Sequence, residues 1–346
     1  MKLNPPRSSQ ILDFMVHDST LLNDWHPVML SQDIQAGTVK PTHLLGEDLV
    51  LWRHNDQILA WQDWCPHRGA RLSLGWVEEN TLVCPYHGLA YNSQGQCIHI
   101  PAHPDLQPPT RACVRTYQTQ ERYGLVWVSL GNPTQDIPSF PEWDEPSYRP
   151  VFCGPYHFNT SGCRAIENFL DVAHFPFVHG DLLGDREALL PRADRTHSII
   201  DNYQVEVEAD GITLRDVRVW QPNPDGTGQG GSVAYNYRVL RPLTAYFSKN
   251  TEGRCLTIFL TVTPVEEEEC IAWMWMAMNH SYEIPEVEQR AFQDRIVAQD
   301  IPIVESQRPK RLPLDLQAEF HLPCDRASIA YRKWLKQLGV TFGTIC

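Results

Sequence analysis

The chain of 346 residues contains no run of eighteen apolar residues; its longest candidate, Cys270 to Met278, is strand-sized, which argues against a membrane-spanning helix. The first residues, Met1 to Arg7, lack the apolar core of a signal peptide, and the expectation is a soluble, cytoplasmic protein. Basic residues are scarce. Against 42 Asp and Glu there are 29 Lys and Arg, and the net charge of -13 argues against nucleic acid or an anionic membrane as the main partner. Ten cysteines are scattered along the chain, so free, mostly buried thiols in a reducing compartment are expected, not a disulfide framework. With 42% hydrophobic and 10% aromatic content, a chain of this length can bury two cores, and two domains are expected.

What is present concentrates first in two loops. Cys65-Pro66-His67-Arg68-Gly69 is answered by Cys84-Pro85-Tyr86-His87-Gly88, so that two Cys and two His are interleaved as C-x-H and C-x2-H. Two such loop tips can grip one object from two sides. A [2Fe–2S] cluster fits, with Cys65 and Cys84 as thiolates on one iron and His67 and His87 on the other; imidazole in place of thiolate raises the reduction potential. Tetrahedral zinc is the alternative, although zinc fingers keep Cys with Cys and His with His.

Around these loops, from residue 25 to residue 132, short β-type runs such as Leu49 to Trp52, Ile58 to Trp61 and Leu125 to Val128 are punctuated by turns, one of them Asn92 to Gly95. This is a small all-β domain after a polar entry segment, residues 1–24. Five prolines between Pro133 and Pro150 mark residues 133–150 as a linker. Residues 151–346 mix helix with long strands: a helix over 166–178, strands at Tyr203 to Glu208, Thr213 to Trp220, Ser232 to Arg238, Leu256 to Val262 and Ile271 to Met278, then a helix from Pro285 to Gln307. A final helix, Arg326 to Leu338, starts after Asp325 as N-cap and is stopped by Gly339. The fold class is α+β, an all-β domain followed by a domain with an antiparallel sheet.

A second site lies in the first of those helices. Asn168, Asp171 and His174 are spaced by three and share one helical face. His179 follows five residues after His174, about 140° round an ideal helix. Both can face one ion only if the helix bends or ends, and Pro176 between them supplies the reason. A lone His on an apolar face is more often a core residue; two of them bracketing a helix breaker, with an Asp one turn upstream, point to metal. Asp300 supplies the missing carboxylate, because it sits in an apolar stripe with Phe292, Ile296, Val297, Ile303 and Val304, where an unpaired charge costs several kcal/mol. Asp294 and Glu305 fall off that stripe and are read as solvated. Two His and one carboxylate with open positions suit a non-haem iron that meets O₂. Phe247, Phe259, Trp273 and Trp275 are read mainly as core, with a pocket lining as the second possibility. Gly226, Gly228 and Gly231 spell G-x-G-x-x-G, but a strand-like run follows where a dinucleotide site needs a helix, so this is a hairpin loop.

The paired loops, the spacing N-x2-D-x2-H-x4-H and the later helical Asp resemble the oxygenase α subunit of the Rieske non-haem iron oxygenases, from Trp25 onward. The likeness is to the homotrimeric demethylase and monooxygenase branch, and also to cyanobacterial and plant relatives of pheophorbide a oxygenase. It implies a Rieske domain joined to a helix-grip catalytic domain, with mononuclear Fe(II) on His174, His179 and Asp300. It implies a head-to-tail homotrimer in which Asp171, with Asn168 beside it in the motif, belongs to the catalytic machinery and bridges His174 to a cluster histidine, His87, of the neighbouring subunit. It implies O₂ and a small cyclic organic substrate, hydroxylated or, through a methyl group, demethylated, with electrons from an external ferredoxin and reductase. Arg68, Arg71 and the run Arg308 to Arg311 are candidates for docking that donor. Respiratory Rieske proteins carry an extra Cys in each loop and hydroxyl donors where this chain has Ala70, Tyr86 and Leu89, so fewer hydrogen bonds to the sulfurs and a low potential are expected. Two other classes compete: an electron carrier leaves the second site unexplained, and a ligand-binding protein leaves the paired loops unexplained.

Overall fold

The computed structural model describes residues 17–180, 182–185, 200, 202–224, 228–251 and 253–346; most of the entry segment and Gly226 of the glycine motif lie outside them. The chain divides into two compact units, one ending at Gln135 and the other running from Asp136 to Cys346. The division falls inside the proline-rich stretch. Among the described residues no helix is long and apolar enough to cross a membrane.

After a one-turn helix, α1 (Ser19–Leu22), the first unit is built of β1 (His26–Leu30), β2 (Val39–Leu44), β3 (Glu47–His54), β4 (Gln57–Gln62), β5 (Trp76–Glu78), β6 (Thr81–Val83), β7 (Ala90–Tyr91), β8 (Cys97–His99), β9 (Thr116–Arg122) and β10 (Leu125–Ser129). A six-stranded sheet runs in the order β1-β10-β9-β4-β3-β2 and a four-stranded sheet in the order β5-β6-β7-β8. β3 and β10 read as continuous apolar runs because both of their faces are buried. Val50, Trp52, Trp61, Leu72, Leu82 and Tyr91 form a core that also contains Cys65 and Cys84. The turn between β7 and β8 closes as its sequence predicts: Asn92 Oδ1 accepts from the Gln94 and Gln96 amides, and Gly95 takes φ +76°.

The second unit begins with β11 (Arg149–Phe158), followed by α2 (Gly162–Leu170) and α3 (Phe175–Val178). The strands β12 (Gln204–Glu208), β13 (Gly211–Gln221), β14 (Gly231–Arg241), β15 (Thr244–Thr251), β16 (Arg254–Glu266) and β17 (Glu269–Met278) come next. Two helices, α4 (Glu286–Ser306) and α5 (Arg326–Leu338), follow. The sheet order is β11-β17-β16-β15-β14-β13-β12, antiparallel throughout. α2 packs on β15, β16, β17 and α5, and α4 runs along β11.

Two strands of the seven-stranded sheet escape the sequence reading. β11 starts where a linker is expected and contains Pro150, Gly154 and Pro155, residues that lower strand propensity; it is tolerated because it lies at the sheet edge and carries a bulge between Cys153 and Tyr156. β15 was passed over between two recognised strands. The helix expected over 166–178 is two helices, because α2 ends at Leu170. Asp325 precedes α5, but its carboxylate accepts from the Leu322 amide and caps nothing in the helix, whereas Gly339 ends it at φ +73°.

Candidate metal centres

The two N-terminal loops are built alike. In the first, the Cys65 amide donates to the Ala70 carbonyl at 2.8 Å and the Gly69 amide to the Cys65 carbonyl at 2.8 Å; in the second, Cys84 donates to Leu89 at 2.9 Å and Gly88 to Cys84 at 3.0 Å. Each turn needs a glycine. Gly69 and Gly88 have φ of +71° and +69°, and a Cβ on Gly69 would lie 2.8 Å from the Trp64 indole nitrogen. The buried carboxylate of Asp63 braces the first loop, accepting from the Ser73 amide at 2.7 Å, the Ser73 hydroxyl at 2.6 Å and Arg71 at 3.2 Å.

This places the cysteines in the core and the histidines at the surface, with the His67 and His87 rings 4.6 Å apart. Burial raises the Cys84 thiol above its ordinary value, opposed by the Tyr86 amide and reinforced by the Cys65 sulfur beside it. A buried thiolate pair therefore needs a cation. Buried sulfurs beside exposed imidazoles suit two irons, each gripped by a like pair, better than the single tetrahedral ion of a zinc site. One sulfur contact was missed in the sequence. The Tyr91 hydroxyl lies 3.1 Å from Cys65 Sγ, so the hydrogen bonding expected to be sparse at Ala70, Tyr86 and Leu89 is supplied from four residues beyond His87.

At the second site Asn168, Asp171 and His174 do not share a helical face. Asp171 leaves the helix in an extended conformation (φ −93°, ψ 135°), held there by its own carboxylate, which accepts from the Ala173 amide and from His174 Nδ1, each at 2.8 Å. Pro176 opens α3, where a missing amide costs nothing, and this single turn carries the chain from His174 to His179. His179 Nδ1 faces Gln299 Oε1 at 2.9 Å. Both Nδ1 atoms thus donate to acceptors, which turns both Nε2 lone pairs inward. There they meet Asp300 Oδ1, at 3.4 Å from His174 and 3.1 Å from His179.

Three lone pairs facing one another repel unless a cation lies between them. Asp300 Oδ1 is buried with no hydrogen-bond partner, and the three side chains are the one group of His, Cys, Asp or Glu within metal-binding reach among the described residues. Neighbouring ligands of one ion, with bonds of about 2.1 Å at right angles, stand about 3 Å apart, so the group fits. Burial works against the His174 imidazolium, but Asp171 and Asp300 outweigh it and push its pKa up to about 9; burial likewise works against ionised Asp171 and Asp300, and the hydrogen bond from His174 holds Asp171, and the His174 and His179 rings beside it hold Asp300, below the usual carboxylate value.

A cavity of about 310 Å³ adjoins the triad and is lined by Asn168, Asp171, His174, His179 and Asp300 on the helical side. Its sheet wall bears out the core reading for three of the four strand aromatics. Phe247 lines it, but Phe259, Trp273 and Trp275 do not: strand alternation turns Leu256, Ile258 and Leu260 of β16 and Met274, Met276 and Met278 of β17 to the cavity. The aromatics face the other way, Phe259 stacked on Phe140 at 5.2 Å and Trp275 against Trp143 at 4.8 Å. The stripe around Asp300 is also narrower than expected. Phe292 and Ile303 are 43% and 50% exposed, and Gln289 and Gln293 continue the buried face with Ile296, Val297 and Val304. Asp294 and Glu305 are not merely solvated: Asp294 accepts from the Tyr156 hydroxyl at 2.6 Å and Glu305 from the Asn159 amide at 2.7 Å. Of the basic candidates, Arg71 is held by Asp48 and Asp63, Arg308 donates to the Glu305 and Gln307 carbonyls, and Arg311 lies 4.0 Å from Glu267. Gln299 was missed, although it adjoins Asp300 and an amide beside a buried ligand is the signal that could have found it.

A β domain whose loops offer two Cys and two His, followed by a sheet domain offering two His and one carboxylate, defines an iron-dependent oxidoreductase with one centre for electrons and another for chemistry. Comparison with known proteins agrees. The Rieske [2Fe-2S] domain family matches residues 24–118, and the vanillate O-demethylase oxygenase C-terminal domain family matches residues 158–341. The methylxanthine N1-demethylase NdmA of Pseudomonas putida is 32% identical over 91% of this chain and 88% of its own; the N3-demethylase NdmB of the same organism is 31% identical over 94% and 92%. The structure of Pseudomonas putida NdmA with caffeine superposes with a TM-score of 0.78 at 29% identity, covering 92% of this chain and 90% of that one. The chain belongs to the Rieske non-haem iron oxygenases, as an oxygenase α subunit that carries a [2Fe–2S] cluster and a mononuclear iron.

Proposed function

We infer that Cys65, His67, Cys84 and His87 hold the cluster, that His174, His179 and Asp300 hold Fe(II), and that the chain hydroxylates a small cyclic organic substrate. The observation that carries this reading is the meeting of Asp300 Oδ1 with two imidazole Nε2 atoms whose Nδ1 atoms are already engaged. When bound, the iron supplies activation of O₂. Asp171 and Gln299 fix the tautomers and ring planes of the two histidines, and the Leu, Ile and Met side chains of the cavity wall hold an apolar ring and exclude water. Iron and acid-labile sulfide per chain test the reading: about three irons to two sulfides are expected after anaerobic reconstitution, and two to two, unchanged by His174→Ala, would sink it.

Demethylation is the second reading. It is favoured by the names of NdmA and NdmB, both demethylases, and differs from hydroxylation of a ring or chain only in the fate of a hydroxylated methyl group. A separate reductase supplies the electrons. Arg68, exposed at the tip of the first loop, and Lys310, half-buried in the later basic run, are the members of the basic set that remain for docking. In a homotrimer, Asp171 joins His174 to His87 of a neighbouring copy; its side chain is 35% exposed and keeps lone pairs beyond those spent on Ala173 and His174. The cytoplasm suits ten cysteines of which none forms a disulfide.

A further inference from the structure

The chain has six methionines, and the three of its second unit, Met274, Met276 and Met278, stand at alternate positions of β17 and all line the cavity. Thioethers fill apolar space as leucine does, but they also carry a polarisable sulfur with an available lone pair. All three are buried from bulk solvent. In the register of the sheet Met276 lies opposite Ile258, Ile258 opposite Phe247 and Phe247 opposite Tyr237. That row crosses the cavity under α2, for Phe169 stacks on Phe247 with ring centroids 5.4 Å apart and meets Tyr237 edge-on at 5.8 Å. The methionine ladder and the triad of His174, His179 and Asp300 share one chamber.

The tryptophans interleaved with the ladder face the other way. Trp273 donates to the Thr263 hydroxyl at 2.7 Å, and Trp275, half-buried, packs against Trp143 and Phe152 with ring centroids 4.8 and 5.0 Å away. From Trp273 to Met276, oxidisable side chains therefore point to the two faces of the sheet by turns. Susceptibility to an oxidant that diffuses in from solvent follows exposure. By that measure Trp275 and Met29, both half-buried, react before any methionine of the ladder. An oxidant produced inside the chamber reverses the order. Among the groups that it meets there, the aliphatic side chains of Leu256 and Ile258 must lose a C–H bond to take up oxygen, whereas a thioether accepts oxygen at its lone pair with no bond broken.

We propose that Met274, Met276 and Met278 are a modification site, an internal thioether substrate that the protein oxygenates when no organic substrate fills the cavity. One oxygen atom of O₂ goes to the sulfur, forming a sulfoxide, and the other leaves as water. The sulfur supplies two electrons, the external donor supplies two more, and two protons complete the water, so the demand for O₂ and reductant is that of one hydroxylation. The lesion is one that methionine sulfoxide reductases reverse, which makes the ladder a renewable guard for the rings and ligands around it. The assignment rests on the oxygenase reading.

The test is peptide mass spectrometry on the reconstituted holoprotein after exposure to ¹⁸O₂ without organic substrate, with ascorbate as the two-electron donor and catalase to remove peroxide from solution. Heavy-oxygen sulfoxide is expected on the ladder at about tenfold or more the level of heavy oxygen on Met29, Trp273 and Trp275, the order that an oxidant made inside the chamber imposes. His174→Ala is expected to abolish the label. Replacing Met274, Met276 and Met278 together by leucine, which conserves volume, is expected to remove the label from β17 and leave the iron content unchanged. Label spread equally over the ladder, Met29 and the tryptophans, sulfoxide whose oxygen comes from water, no sulfoxide, or label undiminished by His174→Ala overturns the proposal. Iron measured on the same samples keeps the two readings apart. Protein lacking the third iron counts against the oxygenase site and takes the ladder with it; fully loaded protein without label counts against the ladder alone.

Discussion

The candidate ligands of the first unit lie between Cys65 and His87, on two loops closed by the same pair of backbone hydrogen bonds, whereas those of the second unit are separated by β12 to β17 and oriented by the side chains of Asp171 and Gln299. Backbone holds one site and side chains hold the other. The candidate cluster histidines, His67 and His87, are exposed, as a group that exchanges electrons with other proteins requires, while His179 is 1% exposed and Asp300 is buried. A site built from turns withstands most side-chain changes outside its ligands. A site built from side chains is sensitive to residues one step removed.

His174→Ala breaks the comparison most severely: the mononuclear iron is lost, turnover falls by about a thousandfold or more, and the cluster's visible absorption is unchanged. A variant that lost both centres together would show that the two sites are not independently held. Asp171→Asn is next, with both metals retained and turnover lowered by about a hundredfold; single-turnover kinetics with a pre-reduced cluster should place the loss in electron transfer. Iron affinity provides the third test. With His174 raised to about 9 in the iron-free protein, the imidazolium stabilises the fold below pH 6.5, and this contribution is lost as pH rises through about 9. Iron must displace that proton, so its affinity should rise about tenfold per pH unit from 7 to 9 and then level off. A flat anaerobic titration would mean that the proton is not there. The smallest change is confined to the first unit: Tyr91→Phe should lower the cluster potential by about 50 mV, the loss of one hydrogen bond to sulfur, with iron binding at the second site untouched.

The same contrast decides what could be read from sequence. The loops were legible because their ligands, prolines and glycines are contiguous, and a turn is a local property of the chain. His174, His179 and Asp300 were also legible, the first two through the proline between them and the third through its apolar neighbours, yet the reason for the break was misread. The carboxylate of Asp171 holds the chain extended where α2 stops, and Pro176 begins a helix where it was expected to end one. The aromatic strand residues were rightly read as mainly core, but which of the four lines the cavity was not legible, because both faces of the sheet are buried and burial alone does not tell which face meets the cavity. Tyr91 and Gln299 act through contacts that no spacing rule isolates. β11 was hidden by prolines that only an edge strand accepts.

Alternation along β17 has a consequence for how such a chamber changes over generations. Met274, Met276 and Met278 line it while Trp273 and Trp275 pack behind it, so replacing any one methionine reshapes the space in front of the candidate iron ligands without disturbing the helices beside them. Inserting a single residue into that strand would instead swap the methionines for tryptophans at a stroke. New substrates are therefore within reach of point mutation, and the reading frame of the strand is what must be inherited intact.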